Sequence, residues 1–285
     1  MERTVYINGE YVSESEAKIS VFDRGFLFAD AVYEVTAVLE GLLIDNHGHL
    51  ERLERSCREL GIKLPVTSEE LTEIQKTLIE KNSLIEGGVY LQLTRGCEGD
   101  RDFSYSDDIE ATLVLFTQER ALINSSYAQK GIKILSMDDL RWKRRDIKTT
   151  SLLPACLAKQ IAKQSGCDDV WLLENGLVTE GGSSNAYIVT ADDKVVTRPL
   201  SNDILHGITR ASLLQLAKDF DIEIEEREFT IEEAYEAKEA FVSSATTFIW
   251  PVVSIDGKTI GSGKPGTLAT KLRDIYIKMA IDTAR

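Results

Sequence analysis

The sequence predicts an α+β protein of two domains, and three observations predict it. At 285 residues the chain is too long for one small core and comfortable for two ordinary ones. Strand-like runs and amphipathic helical patterns are mixed in the first half, while the second half is richer in strands. Between them lies 118–129 (QERALINSSYAQ), polar and without strong periodicity, which reads as a connection. These place a small N-terminal domain at 1–120 and a larger, strand-rich C-terminal domain at 121–285.

The elements follow in order. Tyr6 to Val12 reads as a hairpin, because Asn8-Gly9 supplies the positive φ of a tight primed turn. Val32 to Val38 and Leu42 to Ile44 flank Glu40-Gly41, a second hairpin. Leu50, Leu53, Cys57 and Leu60 recur at helical spacing, with Gly61 as a suitable stop. Thr67 and Glu70 form a capping box ahead of Leu71, Ile74 and Leu78. Val89 to Thr94 and Ala111 to Thr117 read as strands. The second half opens with a strand at Ile132 to Met137 and a helix from about Leu152 to Gln164. Val170 to Leu173, Ala186 to Val189 and Lys194 to Thr197 are strands, and Thr209 to Phe220 is a helix. Ile222 to Glu226 is a strand, Thr230 with Glu233 opens a capped helix, and Ala240 to Ser243 reads as a buried strand.

Composition bounds the function. Hydrophobic residues make up 43% and charged residues 28%, a globular balance. The net charge of −14 repels phosphate backbones and anionic lipid heads, so neither nucleic acid nor membrane is an expected partner. An anionic ligand must be held by a local cluster of donors. The four cysteines form no CxxC pair, and the three histidines show no metal-ligand spacing, so neither disulfide framework nor metal site is expected. The N-terminal residues have no apolar signal region, no run reaches membrane-span length, and a cytoplasmic setting fits best.

Several residues could carry chemistry. Lys148 ends the basic stretch Arg141-Trp-Lys-Arg-Arg-Asp-Ile-Lys148. Crowding by cations favours a neutral amine, the form that attacks an aldehyde. Taken alone, the stretch reads first as a solvated basic surface. Ile147 between Asp146 and Lys148 suggests a strand end, with Lys148 pointing away from Ile147. Glu180 lies in Val178-Thr-Glu-Gly-Gly-Ser-Ser-Asn185, where glycines let a flat ligand approach and a carboxylate could pair with a protonated ring nitrogen; a polar turn is the competing reading. Gly207-Ile208-Thr209-Arg210 opens an amphipathic helix, whose free N–H groups suit a phosphate as well as an ordinary cap. Ser243 to Thr247 could add donors or be a turn. Arg52, beside the apolar stripe of the first helix, could take a phosphate or pair with Glu51, Glu54 or Glu59.

The order Arg52, Lys148, Glu180, Gly207-Ile208-Thr209 and Ser244-Ala245-Thr246 resembles fold-type IV pyridoxal-phosphate enzymes across nearly the whole chain, with the D-amino-acid aminotransferases most similar. Matching stretches are Asp23-Arg-Gly25, Val32-Tyr-Glu-Val35, Leu93-Thr-Arg-Gly96, Asp146-Ile-Lys148, Thr179-Glu-Gly181, Ser183-Ser-Asn185, Gly207-Ile-Thr-Arg210 and Ile255-Asp-Gly-Lys258. The resemblance implies a fold of a small N-terminal α/β domain and a larger strand-rich one, with pyridoxal 5'-phosphate as cofactor. It implies that Lys148 holds the cofactor as a Schiff base and moves the substrate proton, and that Glu180 pairs with the pyridine nitrogen. Arg52, Ile208, Thr209, Ser244, Ala245 and Thr246 would hold the phosphate. Arg141 would sit in the charge network near the ring, and Tyr33 would face the substrate. The implied substrates are amino acids and 2-oxo acids, and the implied assembly is a homodimer whose partner loop closes each site.

One departure stands out. Typical D-amino-acid aminotransferases follow the Thr-Arg-Gly strand end with an Arg-x-His pair that grips the substrate carboxylate. Here the region reads Arg95-Gly-Cys-Glu-Gly-Asp-Arg101-Asp102-Phe103, with no histidine and Asp102 about where it would fall. Carboxylate recognition is therefore expected from Arg101 or Arg24. The leading expectation is ping-pong transamination of a D-amino acid. Branched-chain aminotransferase, (R)-amine transaminase and aminodeoxychorismate lyase reactions remain alternatives on the same scaffold, and a non-enzymatic binding protein using Arg141 to Arg145 is opposed by the net charge.

Overall fold

In the computed structural model, which describes residues 2–284, the chain forms two compact units. One comprises Met1–Ala121, Ile147–Ser151 and Thr283–Arg285; the other comprises Leu122–Asp146 and Leu152–Asp282. The division is thus not a single cut, because the short stretch that carries Lys148 returns to the first unit.

The first unit contains β1 (Thr4–Ile7), β2 (Glu10–Ser13), α1 (Arg24–Phe28), β3 (Ala31–Leu39), β4 (Leu42–Leu43), α2 (Asn46–Leu60), α3 (Ser68–Lys81), β5 (Gly87–Thr94) and β6 (Thr112–Glu119). Its strands form an antiparallel sheet in the order β2-β1-β6-β5-β3-β4. The expected turns are present: Asn8 and Gly9 have φ of 46° and 99°, and Glu40 and Gly41 have φ of 53° and 77°. Gly61 ends α2 in the left-handed region, and Thr67 with Glu70 forms the full capping box of α3. Leu50, Leu53 and Cys57 of α2 and Leu71, Ile74 and Leu78 of α3 pack against Val32, Val38, Leu91 and Leu115 of the sheet. Each such buried aliphatic side chain contributes roughly 1.5–3 kcal/mol.

Alternation along β3 gives the strand two distinct faces. Val32, Glu34, Thr36 and Val38 are all buried, while Tyr33 and Val35 on the opposite face are half-exposed. The returning stretch docks on β3: Tyr33 N–H donates to the Lys148 carbonyl at 3.0 Å, Thr150 N–H donates to the Ala31 carbonyl at 3.1 Å, and Thr149 bridges Val32. Ile147 enters the core of this unit.

The second unit contains α4 (Ser126–Lys130), β7 (Ile132–Asp138), α5 (Leu153–Gln164), β8 (Asp169–Glu174), β9 (Leu177–Gly181), β10 (Asn185–Val189), β11 (Val195–Thr197), α6 (Ile208–Asp219), β12 (Ile224–Glu226), α7 (Ile231–Tyr235), β13 (Glu239–Ser244), β14 (Phe248–Ile255), β15 (Lys258–Thr259) and most of α8 (Thr267–Ala284). Its mixed sheet runs β12-β11-β10-β13-β14-β7-β8-β9, with β15 on β14. Ile132, Ile134, Trp171, Ile188, Phe229, Val242 and Val252 lie in its main core, and Ala158 and Ala162 of α5 pack with Val170 and Leu172 of β8.

The expected strands and helices of this half are present within a residue or two. The polar connection is more structured than expected: it holds the end of β6 and the start of α4. β14 adds a central strand despite Pro251. Its pairing with β7 starts at Val252, so on that side the missing N–H of Pro251 faces no partner. Among the described residues no helix is long and apolar enough to cross a membrane.

Candidate active site

In the first unit the Lys148 amine lies 4.2 Å from the centre of the Tyr33 ring. Backbone placement fixes it there, because the Lys148 carbonyl accepts from Tyr33 and its N–H donates to Ser56 Oγ at 3.3 Å. Ile147 points into the core and Lys148 away from it, as the local pattern predicted. The Tyr33 ring stacks on Tyr90 (5.7 Å between centres), and Tyr90 stacks on Phe116 (4.8 Å), so an aromatic column crosses three strands beneath the amine. Burial pushes the Tyr90 phenol up to about 12, which keeps it a neutral donor to Gln92 Oε1 at 2.7 Å.

Arg52 points to the other face of β3. Its side chain is 7% exposed and pairs with Glu34, a partner that its sequence neighbours did not suggest. Nε and Nη2 each donate to a different Glu34 oxygen, and His49 Nδ1 lies 2.7 Å from Glu34 Oε2. Burial by itself would raise the Glu34 carboxyl, but Arg52 and then His49 outweigh it and hold it at about 2. Burial pushes the His49 imidazole below its usual value, with Glu34 opposing.

The region expected to grip a substrate carboxylate is organised by Arg24. Its Nε donates to Asp30, Nη1 to the carbonyls of Asp102 and Ser104, and Nη2 to the carbonyl of Phe103. Arg95 donates to the same Asp30 and lies over the Tyr105 ring. Arg24 is therefore engaged in shaping the loop. Arg101 is exposed, with its guanidinium 4.9 Å from the ring centres of both Phe28 and Phe103. A cavity of about 470 Å³ opens here, lined by Arg24, Phe28, Arg101 and Tyr105 among others. Asp102 turns onto its own loop: Oδ1 accepts from the N–H and hydroxyl of Ser104, which holds the carboxyl below its usual range.

In the second unit Glu180 lies near the end of β9, buried. Arg141 Nη1 donates to Oε1 at 2.6 Å, and Asn185 Nδ2 and the Leu205 N–H donate to Oε2 at 3.2 and 3.1 Å. Burial pushes the Glu180 carboxyl above the ordinary range, with Arg141 opposing. Arg141 also grips Asp139 with Nε and Nη2; burial works against its charge, but Glu180 and Asp139 outweigh that and keep it cationic. Asn185 Nδ2 also donates to the Leu205 carbonyl at 3.0 Å.

Gly207 precedes α6 with no side-chain cap, and Ile208 and Thr209 form its first turn. Glycine is required for space: a Cβ there would lie 2.0 Å from Asn185 Oδ1. Asn185 pairs with Ser243 across β10 and β13, so the turn after β13 shares this edge of the sheet. In that turn Ser244 Oγ lies 2.9 Å from Thr247 Oγ1, and Ala245 and Thr246 are partly exposed.

Glu180, Arg141, Gly207 to Thr209 and Ser244 to Thr246 are thus gathered in the second unit, and Lys148 and Tyr33 share one face of the first while Arg52 lies on the other. The crowd of uncompensated cations expected before Lys148 is not found. Arg141 meets Asp139 and Glu180, Lys143 meets Glu174, Arg144 meets Asp146, and Arg145 meets Glu174 and Asp139. Sequence reasoning did not single out Glu34, His49 or Asp139. Glu34 lay inside a recognised stretch, and its period-two place among Val32, Thr36 and Val38 marks a buried carboxylate that needs a cation.

The class IV amino-transferase family pattern matches residues 31–255. The D-alanine aminotransferase of Staphylococcus aureus (strain N315) is 36% identical over 277 residues, covering 96% of both chains. Among solved structures, the Escherichia coli branched-chain amino acid aminotransferase superposes with a TM-score of 0.90 at 22% identity, over 98% of this chain and 95% of that one. The branched-chain amino acid aminotransferase of T.th., with pyridoxamine 5'-phosphate, gives 0.87 at 24%, over 98% and 94%. At such identities these two establish a shared fold, and the family match over most of the chain goes further: this protein belongs to the class IV aminotransferases.

Proposed function

We propose that this protein is a pyridoxal 5'-phosphate-dependent transaminase that moves the amino group of a D-amino acid, such as D-alanine or D-glutamate, to 2-oxoglutarate or pyruvate by a ping-pong mechanism. The observation that carries the reading is the Lys148 amine, set by backbone hydrogen bonds above the Tyr33 ring. Its support is the class IV family membership and the near full-length relation to a D-alanine aminotransferase.

The chemistry of the donors that each unit offers suits the cofactor. Lys148 offers an amine to its aldehyde, and buried Glu180 offers a carboxylate to its protonated ring nitrogen. Gly207 lets α6 begin without a side-chain cap, so the N–H groups of Ile208 and Thr209 suit the phosphate, with Ser244, Ala245 and Thr246 as further donors. Arg52, expected beside the phosphate, is instead turned to Glu34 on the face of β3 opposite Lys148 and is left out of this set. When bound, the cofactor supplies a ring that draws electrons from the carbon losing its proton.

The chain's residues do the rest. Glu180 holds the proton on the ring nitrogen, and Arg141 and Asn185 fix its oxygens so that no reorganisation is needed during the reaction. The Lys148 amine would hold the cofactor and, as the base of the site, would move the proton of the substrate Cα. Tyr33 faces the substrate, and Arg101 rather than the engaged Arg24 is the cation for its carboxylate. The branched-chain, (R)-amine and lyase alternatives share the scaffold; the relation in sequence favours the D-amino-acid reaction. We also propose a homodimer with active sites near the subunit interface. We further propose a cytoplasmic setting, on the scatter of the four cysteines through the sequence without a CxxC pair.

The test is borohydride reduction of the protein loaded with pyridoxal phosphate, followed by mass mapping, with Lys148→Ala alongside. The expected result is one reduced adduct on Lys148, absent from the variant together with turnover. An adduct elsewhere, or full activity in the variant, overturns the assignment. Assay with D-alanine, L-leucine and an (R)-arylamine then decides the substrate; reaction with L-leucine alone removes the D-amino-acid reading.

A further inference from the structure

The turn Ser244 to Thr247 is held from behind by a residue of the C-terminal helix. Arg273, 5% exposed on α8, donates through Nη1 to the carbonyl of Thr247 at 2.6 Å and to that of Ile249 at 2.9 Å. Through Nη2 it donates to the carbonyls of Leu122 and Ile123 in the segment that opens the second unit. The two Nη1 acceptors flank Phe248, which is fully buried and has φ of 54°, a left-handed conformation unusual for an aromatic residue. Such a residue is strained and persists only where its surroundings hold it. Phe248 pairs with Ser244 and closes the β13–β14 turn, so its conformation sets the direction in which the turn presents its hydroxyls and N–H groups. Phe248 is pinned further by Tyr276, one helical turn beyond Arg273 (ring centres 5.5 Å apart).

We infer that Arg273 is a positioning residue for phosphate binding. It locks the Ser244–Thr247 turn in its donating geometry and places a buried positive charge directly behind it. The inference rests on the reading that this turn receives the cofactor phosphate. A residue in this role acts on the phosphate and not on the aldehyde or the ring. Its signature is therefore the ratio between the affinity for pyridoxal phosphate and that for pyridoxal, which lacks the phosphate. Loss of stability alone would weaken both equally.

The experiment measures both dissociation constants by absorbance titration for the wild type, Arg273→Met and Arg273→Lys, with urea unfolding of each protein. Methionine keeps the apolar stem and removes the charge and donors; lysine keeps the charge but cannot span two pairs of carbonyls. We expect pyridoxal phosphate affinity to fall at least tenfold in Arg273→Met and by a smaller factor in Arg273→Lys, with pyridoxal affinity within twofold of wild type in both. If Arg273→Met does not fold, Arg273→Lys alone decides: an unchanged affinity ratio overturns the inference, as does a parallel loss of both ligands. Failure of the functional reading itself is distinct, because then the wild type forms no reducible adduct at Lys148.

Discussion

The Glu34 carboxylate and the Arg52 guanidinium meet edge to edge across β3 and α2, with both contacts at 2.7 Å and neither group open to solvent. Such a pair adds little net stability over an apolar one, but breaking it leaves a buried charge alone. Glu34→Gln is expected to cost about 3–5 kcal/mol at neutral pH. Glu34→Gln/Arg52→Met should recover part of that loss. Urea midpoints of the three proteins check it; an unchanged midpoint in Glu34→Gln counts against the pairing.

The same pair predicts acid sensitivity. Glu34 is held at about 2, below its ordinary 4.5, so its stabilisation is complete above 4.5 and is lost as pH falls toward 2. A depression of that size corresponds to about 3 kcal/mol. His49 is also depressed, so the unfolded chain binds its proton first and stability begins to decline below its ordinary 6.5. Unfolding free energy measured from pH 7 to pH 2.5 should fall gently below 6.5 and steeply below 4.5. A flat profile between 4.5 and 2.5 would contradict the geometry.

Gly207→Ala tests the second unit. The new Cβ would lie 2.0 Å from Asn185 Oδ1 and displace the amide that donates to Glu180. The lost buried contact is worth about 1–3 kcal/mol. Pyridoxal phosphate affinity should fall by roughly tenfold or more. Asn185→Ala, which removes the same amide, should lower the affinity by a similar factor, and adding Gly207→Ala to it should cost little more; a further full loss in the double variant would locate the effect elsewhere.

Arg24→Met tests the loop. The wild-type guanidinium holds the carbonyls of Asp102, Phe103 and Ser104, and Arg101 beside them is an exposed trypsin site. Releasing the loop should raise the cleavage rate after Arg101 about tenfold, because proteolysis follows local opening. Equal rates in both proteins would show that Arg24 does not restrain it.

Legibility in the sequence followed the range of the interactions. The Asn8-Gly9 turn, the Thr67–Glu70 box and the Gly61 stop need only a few neighbouring residues, and the sequence displays them fully. Lys148, Glu180 and the Gly207 turn were singled out because distinctive residue types cluster there. The partners that hold them were not. Arg52 pairs with a residue 18 positions away, so strand register decides the partner, whereas sequence proximity suggested others. Arg24 looked available for a ligand because its carbonyl acceptors lie more than 70 residues downstream. The charge crowd before Lys148 dissolved for the same reason: Glu174 and Glu180, which neutralise Lys143, Arg145 and Arg141, arrive from later strands.

The return of Ile147–Ser151 to β3 has a consequence for synthesis on the ribosome. A nascent chain that has reached only Ala121 already carries all six strands of its first sheet. It still lacks the residues that accept from Tyr33 and donate to Ala31. At translation rates of about 5–20 residues per second, that edge waits on the order of seconds for its cover. Bare strand backbone during such a pause is a site where nascent chains can stick to one another. Truncations that stop before 147 should therefore be far more prone to aggregate than ones that stop after 151.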